Sequence, residues 1–184
     1  MQRAWTIGLA MVAVLPAAAD DKPKTKPAEF GGVTWQVPAE WLKQQPKRAF
    51  RILEWGIPTA EGDENAPVLY VSELSGGGGG VKPNINRWLG EFEEKSGDPK
   101  EEEFEVEGIK VATVAIVGTF KESAGGPFAG GKTTLRKDYA TLAAVVQIPG
   151  SEALYTVKMV GPKKSVEAQK KAFKEMLKSG KKGA

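Results

Sequence analysis

Val33, Trp35 and Val37 alternate with Thr34 and Gln36 until Pro38 ends the run, which is the two-residue period of a half-buried strand. The same period recurs over residues 49–57, where Phe50, Ile52 and Glu54 oppose Arg51, Leu53 and Trp55. Residues 67–74 (PVLYVSEL) form a third strand-like run, rich in Val and Tyr. The period then changes. Ile85, Trp88, Leu89 and Phe92 fall at i, i+3, i+4 and i+7, one apolar stripe of a helix that Asn84 would cap and Gly97 would end. Strand spacing returns in the acidic segment 101–107, where Phe104 and Val106 alternate with glutamates, and in 109–120 (IKVATVAIVGTF). The turn at Gly108 joins these two as a hairpin. A second hairpin joins 139–148 to 154–161 through Pro149-Gly150. The last element, 162–179, predicts a helix with Val166, Phe173, Met176 and Leu177 inward, ended by Gly180.

The order is three strands, a helix, four strands and a helix. Short connections favour antiparallel pairing, and two amphipathic helices can cover the sheet. The expectation is an α+β fold: a mainly antiparallel sheet of six or seven strands flanked by helices, an α/β/α sandwich. It occupies 31–179 as a single domain, with a disordered polar lead-in at 20–30 and a basic tail at 180–184.

Residues 1–19 change the picture of where the chain works. Arg3 precedes a short apolar run, Pro16 breaks it, and Ala17-Ala18-Ala19 offers a small-residue cleavage site. The expectation is an exported protein starting near Asp20, periplasmic or extracellular. No Cys follows the site, so no lipid anchor is attached there. Composition narrows the chemistry. Among 184 residues there is no Cys and no His, which excludes Ser-His-Asp and Cys-His catalysis and the usual zinc, copper and haem sites. The formal charge of +3 is too small to point to nucleic acid. No metal and no cofactor is expected.

One stretch argues otherwise at first sight. Residues 126–133 read G-P-F-A-G-G-K-T, which matches the phosphate-loop pattern G-x-x-x-x-G-K-[ST]. That loop needs a strand running straight into its first glycine and a helix starting after its Lys-Thr. Here 121–125 intervene; Leu135, Tyr139, Leu142 and Val146 would also suit a helix, but the alternation of Leu142, Ala144, Val146 and Ile148 up to a Pro-Gly turn suits a strand better. The stretch reads as a loop between paired strands.

Three further features carry candidate sites. The glycines 76–80 with Lys82, Asn84 and Arg87 form a possible anion site at a helix N-terminus; the plainer and preferred reading is a flexible connector before a capped helix. Asp63 and Glu64, like the glutamates of 101–107, lack the ligand spacing of a calcium loop and read as solvated. Trp88 belongs to the core stripe, whereas Trp55, opposite in phase to Phe50 and Ile52, is placed at an exposed or pocket position.

Charge is uneven along the chain. Acids crowd 91–107, and lysines crowd 163–182. Lys163, Lys170, Lys174 and Lys181 would line one side of the last helix, and Lys164, Lys171, Lys178 and Lys182 another. The plain reading is a solvated face; the functional one is a basic surface that meets anionic lipid or an acidic partner, without insertion.

VTWQVPAEW, NINRW and LYTVKMVGPKKSVEAQKKAFKEML together resemble the PsbP-like family of exported domains, and most of all its bacterial members of no assigned activity. The resemblance spans about residues 31–179. It implies the α/β/α sandwich that this family shares with the Ran-binding Mog proteins. Its characterised members are non-enzymatic accessory or partner-binding proteins. This chain has no His to match the metal-related histidines of photosynthetic members, so no site is carried over. The expected function is a non-catalytic exported binding or accessory domain with a protein or envelope partner. The alternative is a carboxylate-based hydrolase or lyase, which would need two acids facing each other in one cleft, one of them held protonated.

Overall fold

A computed structural model describes residues 24–123 and 132–183. The largest unit is an eight-stranded antiparallel sheet. It is built from β3 (Leu42–Gln44), β4 (Arg51–Gly56), β5 (Val68–Leu74), β6 (Phe92–Lys95), β7 (Lys100–Val106), β8 (Ile109–Ser123), β9 (Thr133–Gln147) and β10 (Leu154–Pro162). The order is β3-β4-β5-β10-β9-β8-β6, with β7 also on β8. The 15-residue β8 is long enough to carry both partners on one edge: its first half pairs β7 and its second half pairs β6. Both expected hairpins form, β7 on β8 with Val106 opposite Ile109, and β9 on β10 with Val145 opposite Thr156.

A second, three-stranded sheet consists of β1 (Thr25–Phe30), β2 (Val33–Pro38) and the two-residue β11 (Lys181–Lys182). The expected disordered lead-in is thereby corrected over 25–30, and the tail pairs with β2 at Lys181 and Lys182. Polar composition hid β1 because it is an edge strand: Pro27 has no N–H to give, and on an edge none is required. What anchors β1 is Phe30, buried and stacked on Trp35 at 4.8 Å between ring centroids.

The two faces of the large sheet are covered differently. On one lie β1–β2, α2 (Lys163–Ala168) and α3 (Lys170–Lys178), enclosing Trp35, Trp55, Leu69, Val71, Val111, Val146, Val157, Met159, Val166, Phe173 and Leu177. On the other lies α1 (Val81–Gly90), whose Ile85 and Trp88 pack on Val114, Ile116, Ala143, Val145 and Leu154. This is the expected α/β/α sandwich, with eight strands in the large sheet where six or seven were expected.

Three local expectations change. The middle helix runs from Val81 to Gly90, so Asn84 is inside it and Phe92 already belongs to β6. The glycine run is a 3-10 turn, Ser75–Gly79, and not a loose connector. Gly78 has φ +50°, and a Cβ there would stand 2.6 Å from that of Leu74, so only glycine fits. The last helix is two, because Gln169 leaves helical geometry at φ −94°, ψ 0°. Val166, Phe173, Met176 and Leu177 are inward as expected.

Candidate functional site

On the α1 face, the half of the sheet made by β4, β5 and β10 carries charge where the other half carries apolar residues. Lys158 of β10 stands directly opposite Tyr70 of β5, and Tyr70 opposite Glu54 of β4, so the three form one row across the sheet. Glu54 is 1% exposed and Lys158 3%. Each has an opposite charge. Arg51 Nη1 lies 2.7 Å from Glu54 Oε2, and its guanidinium sits 3.6 Å above the Tyr70 ring. The Lys158 ammonium donates to Glu91, the residue that closes α1. Burial drives Lys158 toward the neutral amine, but Tyr70 and Glu91 together outweigh it and hold its pKa above the ordinary lysine value.

The hairpin β8–β9 closes over this row. Its register shifts between Gly118 and Phe120, where a Cβ on Gly118 would run into the Glu94 carbonyl. Past the shift Phe120 lies on Tyr139 at 6.1 Å and meets Phe92 edge-on at 5.5 Å, with the Lys158 ammonium 5.5 Å from its ring centroid. Burial, opposed by Arg136, pushes the Tyr139 phenol up. Lys121 N–H donates to Glu91 O at 2.8 Å, so Glu91 joins α1, β10 and the hairpin.

Trp55 is corrected by the same geometry. It is buried, while Phe50 and Ile52 are exposed. The strict alternation fails because β4 has a bulge between Arg51 and Leu53, which reverses the phase of the residues beyond it.

The opposite face holds a groove of about 630 Å³ between α3 and β1–β2. Its floor includes Pro38, Ala39, Ala172 and Met176, and Lys24, Glu40 and Glu175 stand at its rim. Both glutamates are exposed, and Glu175 lies 3.8 Å from Lys171.

The candidate anion site is not brought together. Asn84 is buried and its amide donates to Gly78 O at 2.9 Å and Gly80 O at 2.7 Å, pinning the glycine turn to the helix. Lys82 is exposed and turns to Glu101 at 3.7 Å, while Arg87 lies out over Trp88. The candidate basic face is divided as well. Lys163 is on α2, Lys170 and Lys174 are on α3, and Lys181 is on β11. Acidic β7 runs beside α3: Lys174 pairs with Glu102, and Lys100, Glu102, Lys170 and Lys174 line one crevice. The Lys174 hydrogen bond and charge hold the Glu102 carboxyl below its usual range, with Lys170 and Lys178 assisting. The two ends of the chain's charge asymmetry thus partly neutralise each other.

Of the phosphate-loop match, residues 126–131 lie outside the described residues. Thr133 opens β9, antiparallel to β8, where the nucleotide loop requires a helix. Among the described residues no group of three metal-ligating side chains converges. Asp63 Oδ2 accepts from Ser165 N–H at 3.0 Å and so caps the first turn of α2.

No protein-family model matches the chain, and no curated protein matches it in sequence. Among solved structures, cyanobacterial PsbP (CyanoP) from Synechocystis is similar to it with a TM-score of 0.50 at 12% identity, over 92% of this chain and 99% of that one. The Ran-binding protein Mog1p of Saccharomyces cerevisiae aligns with a TM-score of 0.49 at 12% identity, over 88% and 96%. A Pseudomonas aeruginosa protein of unknown function aligns at 0.46 and 9%, over 84% and 94%. At these identities the likeness is one of fold, and the fold is PsbP-like.

Proposed function

We propose that this chain is a non-catalytic binding or accessory domain that receives a segment of a protein partner in the groove between α3 and β1–β2. The observation that carries the reading is where the charges are. The enclosed acid Glu54 and the enclosed base Lys158 are each tied to a partner inside the fold, whereas the acids at the groove, Glu40 and Glu175, are open to water. Held charges that stabilise a scaffold and an open, largely apolar groove suit recognition better than proton transfer. The carboxylate-enzyme alternative would rest on Glu40 and Glu175.

The domain is proposed to work after export. Cleavage near Asp20 would leave β1, which starts at Thr25, intact. Mass spectrometry of the mature form is expected to find a start near Asp20, and an intact Met1 end would refute export. The groove is tested by placing a photo-crosslinking residue at Ala172 or, as control, at Glu152 on the β9–β10 turn. A discrete adduct from Ala172 alone, formed in the native envelope fraction, is the expected result. Equal labelling from both positions, or none, would refute the groove as the site.

A further inference from the structure

The connection from β3 into β4, residues 42–52, is the place where exposed apolar side chains and cations coincide. Phe50 is 77% exposed, Leu42 69% and Ile52 38%. They are interleaved with Lys43, Lys47 and Arg48, all exposed. Among the described residues none of these three cations is in an ion pair. The stretch itself holds no acid; of the two that flank it, Glu54 is buried and held by Arg51 and Glu40 is exposed.

The exposure of Phe50 is imposed by backbone geometry. Its φ is +66°, a left-handed conformation that a bulky side chain rarely adopts. Bonds on either side fix it there: Glu73 N–H donates to Phe50 O at 3.3 Å, and Arg51 N–H to Arg48 O at 3.4 Å. Arg48 in turn donates to Ser123 O at 3.3 Å, which ties the loop to the β8–β9 hairpin. The bulge after Arg51 then turns Ile52 outward as well. A strained backbone that presents an aromatic ring to water is a feature that stability alone does not select.

We propose that this loop is a docking surface for an anionic phospholipid bilayer, with Phe50 entering the headgroup boundary and Lys43, Lys47 and Arg48 meeting the phosphates. The cations supply charge complementarity. The patch is one short loop, too small to bury the roughly 800 Å² per partner of a standard protein interface, whereas a bilayer needs only a few side chains. The loop also differs from α3, where Lys170 and Lys174 face Glu102 of β7 and Lys171 pairs with Glu175. The patch shares no lining residue with the proposed groove, and the two readings are tested by different substitutions.

The chain has no cysteine, so Phe50→Cys and, as control, Glu152→Cys can each carry a single environment-sensitive fluorophore. The full chain without its first 19 residues is mixed with phosphatidylglycerol or phosphatidylcholine vesicles at low and moderate salt. The expected result is flotation with the anionic vesicles at low salt, lost as salt screens the contact, and a blue shift from position 50 but not from 152. Each of Lys43→Gln and Lys47→Gln should weaken binding about fivefold, the effect of about 1 kcal/mol per cation. Lys163→Gln with Lys171→Gln should leave it within about twofold, since the loop and not α2–α3 makes the contact. No flotation with anionic vesicles at low salt would overturn the proposal and leave an acidic protein surface as the occupant. Flotation that depends on the α2–α3 lysines and not on Lys43 and Lys47 would overturn it equally.

Discussion

Breaking the Lys158–Glu91 pair from either side should have unequal costs. In Glu91→Gln the ammonium of Lys158, 3% exposed, loses its counter-charge and keeps the Tyr70 phenol and the Phe120 ring beside it. Stranding a buried charge costs about 3–5 kcal/mol. The chain has one escape, which is to release the proton, and from an ordinary lysine value of 10.5 down to pH 7 that costs about 5 kcal/mol, so the ceiling stands near the same figure. In Lys158→Met the stranded group is Glu91, whose side chain is 24% exposed and reached by water. Methionine also replaces most of the lysine stem among its neighbours. That substitution should cost about 1–3 kcal/mol. The double variant should cost less than the sum of the singles by about 2 kcal/mol, because neither charge is left alone. Urea unfolding at pH 7, followed by far-ultraviolet circular dichroism, measures all three. Equal costs below about 0.5 kcal/mol would mean that water screens the pair as it does at a surface, and the buried row would not be a structural element. Alkaline pH gives a second reading. With its folded pKa raised, Lys158 contributes stability that is fully present below about pH 10.5 and lost as pH rises through the folded value. Tyr139, raised by burial, acts in the same direction, so the informative quantity is the difference between wild type and Lys158→Met. The variant should show a shallower decline above pH 10.5; parallel curves would refute the assignment.

Phe173→Ala removes a ring 4% exposed from the interface of α3 with the sheet and should cost about 3–5 kcal/mol, and an unchanged urea midpoint would mean that α3 is not docked through it. Glu102, whose folded pKa is lowered by Lys174, contributes stability present above its ordinary value of 4.5 and lost as pH falls through the folded value. Glu102→Gln should therefore flatten the acid limb of the stability curve below pH 4.5 and leave the alkaline limb alone; an unchanged acid limb would show that the surface pair is fully screened.

The parts of the fold that a local pattern could carry were legible. A hairpin with a short turn pairs its own neighbours, so the Pro149-Gly150 turn marked its flanking runs as adjacent antiparallel strands, and the structure pairs them with Val145 opposite Thr156. The inward set Val166, Phe173, Met176 and Leu177 was readable because each falls on its helical stripe even after Gln169 splits the helix. What failed was phase and length. One extra residue in β4 reverses every side chain after it, and nothing in AFRILEWGI marks where that residue is, so the pattern points Trp55 to an exposed or pocket position whereas it is buried. β1 was missed for another reason: its side chains are polar, and what holds it is the Gly31-Gly32 turn onto β2 and Phe30 on Trp35, a local hairpin signal that its composition masks.

The charges teach the sharper lesson. Read along the chain, 91–107 is acidic and 163–182 basic, which suggests two separate surfaces. In space β7 lies beside α3, so sequence separation becomes proximity and much of the asymmetry is consumed inside one crevice. The reverse holds for Lys158. Within LYTVKMVG a single lysine between Val157 and Met159 looks like the solvated position of a half-exposed strand, yet it is among the most buried residues of the protein. The signal that distinguishes the two cases is that β10 is central, with β5 on one side and β9 on the other. A charge on a central strand roofed by a hairpin must find a counter-charge within the fold, and Glu91 supplies it from 67 residues away. Among the described residues the loop at 42–52 has no such roof, so Lys43 and Lys47 find no counter-charge within the fold and Phe50, Leu42 and Ile52 stay wet. Which charges a protein keeps for its scaffold and which it offers to a partner is decided by strand order and covering elements, at a level that no window of sequence contains.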